Sequence, residues 1–167
     1  MVTVDTIKAL RDKTGAGVMD CKRALEEAGG DLEGAETVLR EKGLADAAKR
    51  ADRETREGLI DAYIHAGSRL GALVEVDCET DFVARTGEMK ELAHALAMQV
   101  AAMPSTSYVD RSEMPEDESR LPEEICLVDQ SYIRDPSRTV ADVIQEVMAK
   151  VGENVRVRRF ARFALGE

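Results

Sequence analysis

Tryptophan is absent from the 167 residues, and three phenylalanines and three tyrosines make up the whole aromatic complement. An interface built by this chain has few rigid rings to anchor it, so each Phe and Tyr calls for an explanation. Cysteine is as scarce: Cys21, Cys78 and Cys126 lie far apart, with no Cys-x-x-Cys pair. That spacing argues against a zinc ribbon or a stapled secreted scaffold and for reduced thiols that pack as small apolar groups. No run approaches the roughly 18 uninterrupted apolar residues that read as a membrane span. The first residues, MVTVDTIKALRDKTG, mix acid with periodic apolar positions and do not read as a secretory leader. The expectation is a soluble, cytoplasmic chain with no membrane partner.

Positive charge is in deficit, 23 Lys and Arg against 33 Asp and Glu, for a formal net charge of -10. Such a balance repels phosphate backbones, so a protein surface is expected as partner and no direct nucleic acid. There is no G-x-x-x-x-G-K-[ST] loop to cradle nucleotide phosphates, which argues against a GTPase. His65 and His94 stand at no recognised catalytic spacing from a Ser, Cys or carboxylate. No catalytic residue, cofactor or metal is expected, and the chain reads as a non-enzyme.

The residues present alternate between two periodicities. Thr3 can cap a helix with Val4, Ile7, Ala9 and Leu10 on one stripe, ended at Thr14-Gly15-Ala16-Gly17. Val18, Cys21, Ala24, Leu25 and Ala28 keep helical spacing up to Gly29-Gly30, and Asp31 caps a third helix with Leu32, Ala35, Val38 and Leu39 inward and Gly43 as its stop. Residues 1–44 thus predict a three-helix unit, and the charged, alanine-rich residues 45–57 an exposed helical linker. From Gly58 the period changes to two: Ile60, Ala62 and Ile64 alternate with Asp61, Tyr63 and His65, and ALVEVDC alternates again after Gly67-Ser68, which predicts a β-hairpin. Thr86 opens a helix ended by Pro104, the acidic stretch near 104–122 predicts a solvent-exposed, mobile loop, and Thr139 opens a helix ended by Gly152. The closing NVRVRRFARFAL predicts a strand that joins the hairpin, making the chain α+β. Arg156, Arg158, Arg159 and Arg162 on it fit a solvated face or internal salt links better than an RNA surface.

Two motifs admit both a structural and a functional reading. In Cys78-Glu-Thr-Asp-Phe-Val-Ala-Arg85, Asp81 can cap a helical turn while Phe82 fills the core, the ordinary arrangement for such a pair. Alternatively Phe82 is an exposed anchor for a partner's pocket, worth about 1.5–3 kcal/mol when withdrawn from water. In Thr14-Gly-Ala-Gly-Val-Met-Asp-Cys-Lys-Arg-Ala-Leu25, Val18, Met19 and Lys22 either form an adaptable contact surface or belong to an interhelical turn with Met19 half buried.

TGAGVMDCKRAL, CETDFVAR and GENVRVRRFARFALGE, in that order and spanning nearly the whole chain, closely resemble the signatures of the elongation factor Ts family. The resemblance implies a ubiquitin-associated-like domain over 1–44 and, over 58–167, a core domain with a small antiparallel sheet flanked by helices. It implies guanine-nucleotide exchange: Asp81 and Phe82 push into the nucleotide domain of elongation factor Tu and promote GDP release. Arg11, Val18, Met19 and Lys22 dock on the same domain near the base-binding side, and Val151-Gly152 adds a further contact. The chain departs from the family where Val18 replaces a methionine, and where a charged helical segment is missing before Gln130-Ser131-Tyr132-Ile133. With one core unit where longer relatives have two, the chain is expected to pair with itself as a homodimer. A ubiquitin- or nascent-chain-binding adaptor is the rival reading, and it leaves CETDFVAR and RRFARFALGE unexplained.

Overall fold

The computed structural model describes residues 2–167. The Thr3 hydroxyl accepts the Thr6 N–H and opens α1 (Val4–Thr14), which ends at Gly15. Helix α2 (Val18–Glu27) follows, and the Asp31 carboxylate accepts the Gly34 N–H at 2.7 Å to start α3 (Leu32–Ala48). Leu10, Cys21, Ala24, Leu25 and Ala35 close into a small core lined by Ile7, Val38 and Leu39. The outer members of the predicted stripes, Val4, Val18 and Leu32, are exposed. Each is the first residue of its helix, beyond the reach of so small a core.

Gly43 does not stop α3, which runs on to Ala48. Its lack of a side chain serves packing instead: a Cβ there would stand 3.1 Å from the Cβ of Ala149 on α7 (Val140–Val151). Four residues on, one turn further along the same face, Ala47 is sealed in the larger core. The stretch 45–57, read as an exposed helical linker, is helical only to Ala48 and buries both Ala47 and Thr55.

The hairpin pairs β1 (Glu57–Ile64) with β2 (Leu70–Cys78), and β5 (Val155–Ala164) adds to the other side of β2, giving an antiparallel sheet in the order β1-β2-β5. The long α5 (Gly87–Ala102), capped by Thr86, buries Met89, Leu92, Ala93, Leu96 and Val100 in the core that also holds Ala72, Val74 and Val76. In β1 the burial runs against the simplest expectation: Leu59 and Tyr63 pack on the core, whereas Ile60 and Ile64 face outward. A register shift between Glu75 and Val76 leaves Arg158 without a partner opposite it, while Arg159 bonds Glu75 at 2.5 Å and Arg156 sits 4.0 Å from Asp77.

The acidic stretch is exposed along most of its length, as expected, and is anchored at a few points. Val109 and Thr106 are buried, Arg111 donates twice to Asp129, and Tyr108 bridges to Cys126. Glu118, hydrogen-bonded by the Arg120 side chain, has its carboxyl lowered to about 2. Short elements with too few residues for periodicity follow: α4 (Asp81–Ala84) after β2, α6 (Pro122–Ile125), and a hairpin of β3 (Ser131–Tyr132) and β4 (Asp135–Thr139). Gln130 is buried between them, donating to Thr106 Oγ1 at 2.8 Å and accepting from Gln99 Nε2 at 3.2 Å. No helix among the described residues is long and apolar enough to cross a membrane.

Candidate functional site

Strand β2 ends in a buried cysteine and the chain turns sharply. Burial, reinforced by the nearby Glu153 charge, pushes the Cys78 thiol up to about 11, so it stays protonated and donates to the Thr80 carbonyl at 3.2 Å. Thr80, not Asp81, caps α4: its hydroxyl accepts the Val83 N–H at 3.3 Å. With Val83 and Ala84 taking the inward side of this single turn, Asp81 and Phe82 face solvent. The core-filling reading of Phe82 is excluded, because the ring is 79% exposed. Asp81 holds Arg85 at 2.7 Å on the same outer face. Beside them Asp81, Ala84, Arg85 and Lys90 form a shallow groove with the open edge of β1, Glu57 to Asp61.

The end of α7 lies against this turn. Gly152 adopts φ 74°, a left-handed value that a side chain would strain. That conformation carries the chain directly from helix to strand, leaving Val151 half-buried and Gly152 exposed. The next residue, Glu153, accepts the backbone N–H groups of Glu79 and Thr80. Asp81-Phe82 and Val151-Gly152 are thus brought together at one end of the core sheet, where Cys78, the last residue of β2, pairs with Val155, the first of β5.

The remaining predicted contact residues form a separate patch. Arg11 is exposed on α1, and at the start of α2 Val18 and Met19 are exposed, Met19 at 60%. Lys22 is exposed beside Glu26, 3.7 Å away. This excludes the half-buried reading of Met19. Asp20, between them, is held below its ordinary value by the hydrogen bond from Lys42 at 2.7 Å, with Arg23 also close. A cleft of about 460 Å³ is lined by the Thr14–Gly17 loop, by α3, and by Glu146, Ala149 and Lys150 of α7.

Glu79, Thr80, Glu153 and Asn154 escaped the sequence reading, although all four lie inside its quoted motifs. The one available signal was Asn154, a polar residue between a helix-ending glycine and a β-branched strand, where an amide has backbone groups to satisfy.

The elongation factor Ts family model matches the chain in two stretches, residues 34–122 and 118–167. They meet where a segment was expected to be missing. The chain is 47% identical to elongation factor Ts of Carboxydothermus hydrogenoformans over 197 aligned residues, covering 100% of this chain and 90% of that protein. It is 47% identical to that of Thermotoga petrophila, with 99% and 97% covered. To that of a Synechococcus strain it is 49% identical, over 96% of this chain and 68% of the relative. The alignments exceed the chain in length, so these relatives carry residues that it lacks.

Proposed function

The chain belongs to the elongation factor Ts family, and from that membership we propose that it is a non-catalytic nucleotide exchange factor, binding the GDP-bound GTPase elongation factor Tu and promoting GDP release during translation elongation in the cytoplasm. The observation that carries the reading is Phe82, a bare aromatic ring on a turn whose other side, Val83 and Ala84, is locked into the core. A ring presented this way enters a pocket with little ordering cost, and its withdrawal from water contributes about 1.5–3 kcal/mol. Asp81 and Val151-Gly152 extend the same contact. Arg11, Val18, Met19 and Lys22, on the ubiquitin-associated-like unit of residues 1–44, dock on a second part of the GTPase.

Exchange by this route is negative coupling. Whatever factor the chain lowers GDP affinity by, GDP lowers affinity for the chain equally, typically about 5–150-fold. The test is the dissociation rate of fluorescent GDP from elongation factor Tu. The wild-type chain is expected to accelerate release, and Phe82→Ala to fold normally yet lose most of the acceleration; undiminished release with that variant refutes the assignment.

The chain also pairs with itself through the outer face of the sheet. Ile60, Ile64, Leu73 and Phe163 are exposed there, and the strand register sets Leu73 between Ala62 and Ala161. Such a face is self-complementary across a two-fold axis, stacking sheet on sheet about 10 Å apart. Two Phe82 turns per assembly then serve two GTPase molecules.

A further inference from the structure

The Glu153 carboxylate is fully engaged by the turn that carries Phe82. Oε2 accepts the N–H groups of Glu79 and Thr80, both at 3.0 Å, and Oε1 accepts the Thr80 hydroxyl at 2.6 Å. A reverse bond closes the pair, with Glu79 Oε1 accepting the Asn154 N–H at 2.7 Å. Asn154, only 3% exposed, donates both amide hydrogens, to the carbonyls of Ala51 at 2.9 Å and Arg53 at 2.7 Å. Two adjacent residues therefore join three separate stretches: the exit of α3, the turn before α4, and the turn after α7.

The Thr80 hydroxyl has one hydrogen to give and lone pairs to accept with. It gives that hydrogen to Glu153 and accepts the Val83 N–H, so Glu153 fixes the orientation of the group that caps α4. Bonds from N–H or O–H to a carboxylate are roughly twice as strong as neutral ones. Without them the Glu79 and Thr80 amides and the cap are free to turn, and Phe82 turns with them.

We propose that Glu153 is a positioning residue for Phe82, the carboxylate clasp holding the Asp81-Phe82 turn in register with Val151-Gly152 so that both meet the partner GTPase as one preformed surface. The proposal rests on the reading of Phe82 as the anchor. It adds a residue that acts through the Thr80 cap, and gives a physical reason for the Glu-Asn step after the glycine.

The test is a double-mutant cycle on GDP release from elongation factor Tu, using the full chain. Glu153→Ala is expected to lower the stimulated rate by about tenfold, since misplacing an interacting group by an ångström can cost up to about a hundredfold. Glu153→Gln keeps an acceptor and a donor but loses the charge, and is expected to lose about threefold. In a Phe82→Ala background neither change is expected to matter further, because both act through the one ring. Amide hydrogen exchange in the free protein is expected to quicken at Glu79 and Thr80 and to stay unchanged in α5. A loss from Glu153→Ala that simply multiplies with that from Phe82→Ala overturns the proposal, as does a wild-type rate for Glu153→Ala. Should the alanine variant fold poorly, the glutamine variant carries the same cycle. Full stimulation by Phe82→Ala alone overturns the anchor reading and the proposal together, whereas loss there with Glu153 variants at wild-type rates overturns the proposal only.

Discussion

Position governs the chemistry of individual side chains here more than their type does. Cys78, Cys21 and Cys126 are all buried and unpaired, and burial pushes the thiols of Cys78 and Cys126 up, Cys78 to about 11. Only about a thousandth of a thiol at 11 is ionised at pH 8, and the thiolate is the reactive form. The native protein is therefore expected to show no fast-reacting thiol toward an aromatic disulfide reagent at pH 8, and all three in denaturant. A rapid native stoichiometry of one would overturn the burial of that site. Phe82 shows the opposite case. In sequence, an aromatic residue after an acid fits a core position as well as an anchor, because exposure depends on what the neighbouring residues cover. Here Val83 and Ala84 took the inward side of a turn too short to have a second one.

Among the elements, close backbone approach set limits that periodicity could not reveal. A Cβ on Gly58 would stand 2.4 Å from the Val76 carbonyl oxygen and 2.8 Å from the Asp77 Cα, both backbone atoms that cannot swing aside. Gly58→Ala is expected to cost about 1–3 kcal/mol by overpacking the β1–β2 ladder, read as a lower urea midpoint. An unchanged midpoint would show that the strands can separate freely there. Between α2 and α3 the Lys42–Asp20 pair makes a pH-dependent link. Asp20 has a lower pKa folded than unfolded, so its stabilisation is complete above the unfolded carboxylate value near 3.9 and is lost as pH falls through the folded value. Both side chains are well exposed, and such pairs are worth about 0.2–1 kcal/mol. Lys42→Met is expected to lower the thermal midpoint slightly at pH 7, with the gap closing as pH falls below the ordinary carboxylate range. A gap that stays constant with pH would assign the effect to the aliphatic stem.

Across the whole molecule, the apolar residues do not all go to the core. Ile60 and Ile64 on β1, Leu73 on β2 and Phe163 on β5 share the uncovered face of the sheet, opposite α5. Light scattering at micromolar concentration is expected to give the mass of two chains. Leu73→Lys, at the centre of the middle strand, is expected to give the mass of one chain with its fold intact, because it places a charge where the two-fold axis would bury it. A wild-type mass of one chain would remove self-association from the function, leaving the Phe82 surface untouched.

Helices and strands with long apolar periods and capping residues were settled by the sequence alone: Thr3, Asp31, Thr86 and Thr139 begin helices as their hydroxyl or carboxylate groups predict. So were the three strands of the sheet, since alternation over eight to ten residues has few other solutions, though which side of the hairpin β5 joins was not. Tertiary structure decided which alternate face of β1 turned inward, whether Gly43 ended a helix or admitted its neighbour, and where the acidic loop is anchored. It also decided the clasp at Glu153, whose partners lie more than seventy positions away. Periodicity and capping act over a few bonds of chain and can be read in order, whereas burial, close approach and a shared carboxylate exist only between segments that folding has brought together.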